Sequence, residues 1–143
     1  MAITKINGGI TAPKGFLASG LNAGIKNQTK KDMAMVFSST PCAAAGVFTS
    51  NLVKAAPVKW DKEIVTTSPY VQAVVVNSGI ANACTGAEGL GYCADTAAEA
   101  ATALNIPKTA VLVASTGVIG KQLPIDKIKS GVTALSKVLG SSR

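Results

Sequence analysis

Val71-Gln72-Ala73-Val74-Val75-Val76-Asn77, followed at once by Ser78-Gly79, is the stretch on which the fold turns. Valine is β-branched and favours an extended backbone, and the Ser-Gly pair ends the run, so the segment reads as a buried strand. A second apolar run, Ala110-Val111-Leu112-Val113-Ala114, reads the same way and passes into Ser115-Thr116-Gly117. Between the two, Tyr92–Leu104 reads as a helix. Alanine is the best helix former, and Cys93, Ala97, Ala100, Ala101 and Leu104 fall on one face. Asn105 and Pro107 end it. A further helix is expected from Leu123-Pro124, because proline suits the first turn and Ile125, Ile128, Val132, Leu135 and Leu139 follow at spacings of three and four. Asp126 lies near its positive end, Lys137 near its negative end, and Gly140 is the expected stop.

Working back toward the start, Asp32–Ser38 is a further buried strand, and Phe16–Gly24 alternates weakly as another. Asn27–Lys31 reads as the hairpin loop that joins them. Pro41 is expected to break the buried strand, Ala43–Thr49 to supply a further short one, and Asn51–Trp60, restricted by Pro57, an edge-type segment. Residues 6–15 are a turn-rich opening, and Ser78–Gly91, full of Gly, Ala and Asn, reads as a backbone-lined loop. Strands come first, then strand–helix–strand–helix. That order favours an α/β layered fold.

Composition narrows the function classes. Hydrophobic residues make up 48% and charged residues 15% of the 143, which supports a packed core and argues against disorder. Aromatics are 4%, so Ala, Val, Leu and Ile must build that core. The net charge is +7, but the lysines are scattered, with Lys30-Lys31 the only adjacent pair and few aromatics between them for base stacking. A solvated basic surface is the plain reading, an anionic small molecule or acidic partner the functional one. Nucleic acid is not expected. No apolar run approaches the roughly 20 residues of a membrane helix, and Met1 is followed by no secretory signal, so a cytoplasmic protein is expected. Three cysteines, Cys42, Cys84 and Cys93, form no CxxC pair and read as free thiols. Histidine is absent, which removes every His-based triad, His base and His metal ligand from this chain.

Three constellations could carry chemistry. A strand end that breaks into Thr116-Gly117 exposes a hydroxyl and a free backbone N–H together, and two such donors aimed at one point make an oxyanion hole. The plain alternative is a strand-to-loop turn that needs glycine. Gly117…Gly120-Lys121 also hints at a phosphate loop, but that motif wants Gly where Ser115 stands and Ser or Thr where Gln122 stands. In Val76–Gly86, Asn77 and Asn82 can tie loops through their amides. The same loop holds Cys84, which lacks a His partner and reads as a buried, inert packing residue. Gly8-Gly9-Ile10-Thr11-Ala12-Pro13-Lys14-Gly15-Phe16 is a turn entering a strand, with Lys14 solvated.

Together these segments resemble one family. Gly8–Phe16, Ala44-Ala45-Gly46-Val47-Phe48-Thr49 with Asn51, Val53-Lys54-Ala55-Ala56-Pro57-Val58, Val75–Gly86 and Val111–Gly120 are similar, in order, to segments of the ornithine acetyltransferases (glutamate N-acetyltransferases). Leu123-Pro124-Ile125-Asp126-Lys127-Ile128 follows in place. Each motif alone is weak; the series is specific. The resemblance implies a precursor that cuts itself into α and β chains just before a threonine. That threonine, first in β, is the nucleophile, with its own amine as base. It takes an acetyl group from N-acetylornithine and passes it to glutamate; some members also use acetyl-CoA as donor. The resemblance further implies no cofactor and no metal, a β-chain partner in an α2β2 heterotetramer, and an α-β-β-α sandwich shared with DmpA-like self-cleaving aminopeptidases. By motif match, Thr116 (hydroxyl) and Gly117 (N–H) are the oxyanion hole, and residues 1–143 are the N-terminal part of the α chain, completed by later α segments and β. Ile80 stands where the family usually has Asn. A related self-processing hydrolase, with water as acceptor, and a non-catalytic binding module are the rival readings.

Overall fold

The triple valine lies in the third of four strands, and the sheet is built outward from it. The computed structural model describes residues 3–5, 7–27 and 29–141; Ile6, Gln28 and the ends of the chain, with the parts of the opening turn and hairpin loop that fall on Ile6 and Gln28, lie outside them. In chain order the elements are β1 (Phe16–Leu21), β2 (Met33–Cys42), α1 (Ala56–Thr67), β3 (Val71–Ile80), α2 (Gly86–Leu104), β4 (Val111–Val118) and α3 (Ile125–Lys137). The strands run in the order β1-β2-β3-β4. β1 pairs antiparallel with β2, and β2 with β3. α2 carries the chain over to β4, which pairs parallel with β3 from Ala73↔Val111 to Ile80↔Val118. The expected α/β layering is present.

Strand alternation divides the sheet into two unlike faces. Met33, Met35, Ala73, Val75 and Val111 point to one side and are buried against Ala97 and Ala100 of α2 and Ile128, Val132 and Leu135 of α3. The small alanines let α2 lie close to the sheet, which is how a chain with few aromatics fills a core. On the other side Val36, Val74, Val76, Leu112 and Ala114 are only half-buried, and no helix among the described residues covers them. A shallow depression of about 220 Å³ there is lined by Phe16, Val36, Cys42, Val74 and Leu112. The chain thus supplies one helical layer and one sheet, with an apolar sheet face left open.

Several boundaries differ from the sequence reading. β2 does not stop at Pro41; it continues to Cys42, with its pairing to β3 interrupted between Phe37 and Cys42. Proline is tolerated there because the ladder is already broken. Residues 43–49 form no strand. The segment expected at an edge is instead the entry to α1, with Pro57 in its first turn, where a missing N–H costs nothing. α2 starts at Gly86, six residues before Tyr92, and runs through Gly89 and Gly91. Gly89 is there for space: a Cβ would sit 2.0 Å from Thr85 Oγ1 and 2.6 Å from Asn82 Oδ1.

The β1–β2 connection is held by one buried carboxylate. Asp32 Oδ1 accepts from the Ala23 N–H at 2.6 Å, and Oδ2 accepts from Ile25 at 2.7 Å and Lys26 at 3.0 Å. Burial alone would raise its pKa, but the N–H bonds from Lys26, Ala23 and Ile25 outweigh that and hold it below the ordinary carboxylate value. The Asp32 carbonyl also accepts from Ser78 N–H at 2.8 Å, tying this loop to the end of β3. Asp32→Ala removes the acceptor from three backbone donors and is expected to cost roughly 3 kcal/mol. Urea unfolding at pH 7 checks it. Because the folded pKa is depressed, the carboxylate's stabilising contribution is present above its unfolded pKa and is lost as pH falls below it.

Candidate active site

β3 and β4 continue in parallel past the point where their sequences turn glycine-rich. Ser78 pairs with Thr116, Gly79 with Gly117 and Ile80 with Val118. Gly79 has φ 110° and Gly117 φ 133°, values that side-chain-bearing residues rarely adopt. A Cβ on Gly117 would lie 2.3 Å from Gly79 C and O and 2.6 Å from Ile80 N. Only glycine lets the two strands stay together here. Gly79 is crowded from the other side, where a Cβ would meet Lys26 Cγ at 3.0 Å.

The loop after β3 is fastened to this pair by side chains. Ser115 Oγ donates to the Ile80 carbonyl at 3.0 Å and accepts from Asn82 N–H at 2.9 Å. Asn77 Nδ2 donates to the same Ile80 carbonyl at 2.9 Å. Asn82 Nδ2 donates to the Gly89 carbonyl at 2.8 Å, while its Oδ1 accepts from Thr85 Oγ1 at 2.7 Å. The two asparagines expected to tie loops do so. Ile80, where the family's usual Asn is absent, is buried, and its carbonyl still receives both polar contacts. Backbone bonds from Ala81 N–H to Val118 O and from Gly120 N–H to Ala83 O, both 2.9 Å, close the loop over the strand end.

Thr116 and Gly117 are exposed at the tip of β4. Alternation puts the Thr116 side chain on the open face with Leu112 and Ala114. Val118 O pairs back to the loop after β3, so the even residues of β4 turn their backbone groups toward β3 and the odd ones away from it. The Gly117 N–H therefore points to the outer edge of β4, where no fifth strand lies among the described residues. The Thr116 hydroxyl on the open face and the Gly117 N–H on the edge are thus adjacent donors at one exposed corner of the sheet. The phosphate-loop alternative has no helix directly after Gly120-Lys121; α3 starts at Ile125. Lys14 is exposed, as expected.

Two groups escaped the sequence reading. Trp60 Nε1 donates to Val111 O at 3.0 Å, and Asp61 Oδ1 accepts from Val113 N–H at 3.0 Å. Both belong to α1, and no motif marks them. Burial pushes the Asp61 carboxyl up to about 6 against the opposing hydrogen bond from Val113. Buried Cys93 is pushed up to about 12, first by burial and then by the Asp61 charge, with the Asn82 hydrogen bond opposing. Cys84 corrects an expectation: it is exposed, not buried. Asn82 and Thr85 take the inward positions of the loop, which turns Cys84 outward with φ 56°. It lines an open cleft of about 210 Å³ with Lys54, Lys59, Thr85 and Gly86. Overpacking by a larger residue is therefore not expected at Cys84. Among the described residues no group of three or more His, Cys, Asp or Glu could hold a metal ion.

With this geometry in place, the kinship is plain. The ArgJ family profile matches residues 17–142, and the chain belongs to that family. It is 50% identical over 128 residues to the arginine biosynthesis bifunctional protein ArgJ of Thermotoga neapolitana, covering 89% of this chain and 32% of that protein. The ArgJ protein of Symbiobacterium thermophilum is 52% identical over 134 residues, 92% of this chain and 33% of that one. The chain spans about a third of the length of the curated relatives it matches. Among solved structures, ornithine acetyltransferase from Mycobacterium tuberculosis, complexed with ornithine, superposes with a TM-score of 0.89 at 46% identity, over 94% of this chain and 72% of that chain. ArgJ from Bacillus halodurans gives 0.88 at 41% identity, over 94% and 69%.

Two outcomes are expected here. Cys84→Gly should raise stability by about 1 kcal/mol, because glycine relieves the left-handed backbone, while Cys84→Ala should be near neutral; thermal melts of both variants decide it. For Asp61 the folded pKa lies above the unfolded one, so its ionised form is disfavoured in the folded state. Wild type should lose stability relative to Asp61→Asn as pH rises from about 4 to about 6, and the gap should stay constant above that. Melting temperatures of the two proteins across that range check the sign.

Proposed function

We propose that this chain is the N-terminal part of the α subunit of a glutamate N-acetyltransferase (ornithine acetyltransferase) of arginine biosynthesis. A threonine at the start of a partner β chain takes the acetyl group from N-acetylornithine, releasing ornithine, and the acetyl-enzyme passes it to glutamate. Attack on the acetyl carbonyl turns its oxygen into an oxyanion. Thr116 Oγ1 and Gly117 N–H donate to that oxygen as the charge develops, and this preorganised pair lowers the barrier. The observation that carries the reading is the exposed corner of hydroxyl and outward N–H at the tip of β4, fixed by the contact between Gly79 and Gly117. The similarity to bifunctional ArgJ proteins of arginine biosynthesis and to an ornithine acetyltransferase supports the same reading.

The open sheet face is where later α segments and the β chain would lie, completing the α-β-β-α sandwich after autocatalytic cleavage of the precursor. Two such pairs make the α2β2 assembly. The reaction needs no metal or other cofactor; acetyl-CoA is a further acetyl donor, not a prosthetic group. No helix among the described residues is long and apolar enough to cross a membrane, which agrees with a biosynthetic enzyme of the cytoplasm. A self-processing hydrolase would use the same corner with water as acceptor, and the product distinguishes the two.

In the assembled enzyme Thr116→Ala is expected to lower turnover about a hundredfold to a thousandfold with little change in melting temperature. Steady-state transfer from N-acetylornithine to glutamate measures it, with intact mass of the partner chain showing the acetyl group on its N-terminal threonine. Unchanged turnover in a folded variant removes Thr116 from the site. Release of free acetate in place of N-acetylglutamate favours the hydrolase.

A further inference from the structure

β4 is the last strand of the sheet, yet its outer edge is not bare along its length. α1 lies against it, and side chains of α1 and its C-cap answer backbone groups of the turn before β4 and of β4 itself. Ser68 Oγ, at the C-terminal end of α1, donates to the Thr109 carbonyl at 2.7 Å. Trp60 Nε1 donates to Val111 O at 3.0 Å, and Asp61 Oδ1 accepts from Val113 N–H at 3.0 Å. At the other end, Ala56 N–H donates to the Asn82 carbonyl at 3.1 Å, which fixes the start of α1 to the loop beside the site. Val111 and Val113 are alternate positions of β4, as a neighbouring strand would meet them, while Thr109 lies in the single 3-10 turn, Lys108–Ala110, that leads into the strand. The next two in the series are Ser115 and Gly117, and α1 offers neither an acceptor.

We infer that α1 is a substitute for a fifth strand that stops one rung short of the site, and that Asp61, its last rung, is a positioning residue for the Gly117 donor. A true strand there would claim the Ser115 and Gly117 N–H groups. A bare edge would leave the strand end free to shift. The side-chain ladder pins β4 as far as Val113 and leaves the Gly117 N–H beyond it open for substrate oxygen. Trp60 also packs into the core and lies under Lys108, with Nζ 5.9 Å from its ring centre, so the ladder is anchored on a rigid side chain. This inference rests on the oxyanion role proposed for Gly117; the ladder itself does not.

The test uses the assembled enzyme, with amide hydrogen exchange over residues 113–117 and steady-state kinetics measured on the same variants. Asp61→Leu, which has no acceptor, should speed exchange at Val113 and Ser115–Gly117. It should lower kcat on the order of tenfold to a hundredfold, with KM within about twofold, since small misplacements act on the transition state. Asp61→Asn, which keeps an oxygen facing Val113, should restore kcat to within about threefold of wild type. Ser68→Ala, at the far rung, should lower the melting temperature without changing kcat. Trp60→Phe keeps the ring and loses only the N–H, so it serves if Asp61→Leu does not fold; it should speed exchange over residues 111–115 and lower kcat severalfold. The inference is overturned if Asp61→Leu, or Trp60→Phe in its place, leaves exchange and kcat at wild-type values. It is equally overturned if Asp61→Asn loses as much kcat as Asp61→Leu. If wild type transfers no acetyl group, the function reading fails, and exchange alone still decides whether the ladder exists.

Discussion

Gly79 and Gly117 lie side by side where no Cβ could fit between them, with the nearest atoms of Gly79 only 2.3 Å from where one would sit on Gly117. That contact lets β3 and β4 stay paired to their tips, to Ile80↔Val118. Prolonged pairing in turn brings Ser115 under the loop after β3, where its hydroxyl bridges Ile80 and Asn82. Hydrogen bonds then tie the loop, the start of α2 and the strand tip to one another. Alanine at Gly117 would have to part the strands, and the corner that carries the Thr116 hydroxyl and the Gly117 N–H would shift with them.

The two faces of the sheet divide the labour. The face under α2 and α3 carries the buried residues of the core, including Met35, Ala97, Val132 and Leu135 at full burial. The other face is apolar but only half-buried, and Thr116 stands at its end. Strand alternation makes this unavoidable: once Val111 and Val113 point into the core, Leu112, Ala114 and Thr116 must point away from it. The parity that places the Thr116 hydroxyl on the open face also turns the Gly117 N–H to the free edge.

The strands and helices with strong apolar periodicity were readable from sequence: the valine run of β3, the run of β4, and α3 with its spacings of three and four. Asn77 and Asn82 were readable as loop ties, because small amide side chains in a Gly/Ala-rich stretch have few other uses. α1 was not. Its sequence, Ala-Pro-Val-Lys-Trp-Asp-Lys-Glu-Ile-Val-Thr-Thr, buries only Ala56, Pro57 and Ile64, so the helical period is faint and Pro57 suggests a break although it sits in the first turn. The first six residues of α2 look like loop in the sequence because glycine lowers helix propensity; tertiary contact at Gly89 outweighs that cost. Cys84 was misplaced because size and polarity alone suggest burial, while the neighbouring Asn82 and Thr85 compete for the inward positions and win through hydrogen bonds. Thr116 and Gly117 could be picked out by motif, but the outward direction of the N–H follows only from strand parity and sheet order.

The most direct measurement is a crystal structure of the assembled enzyme trapped as its acetyl-enzyme or with a tetrahedral analogue of acetyl transfer. The expected result is the acetyl-derived oxygen within about 2.7–3.1 Å of both Thr116 Oγ1 and Gly117 N, the geometry at which two donors stabilise an oxyanion. An oxygen held by other groups, with Thr116 Oγ1 and Gly117 N turned to solvent, would contradict the assignment of this corner as the oxyanion hole.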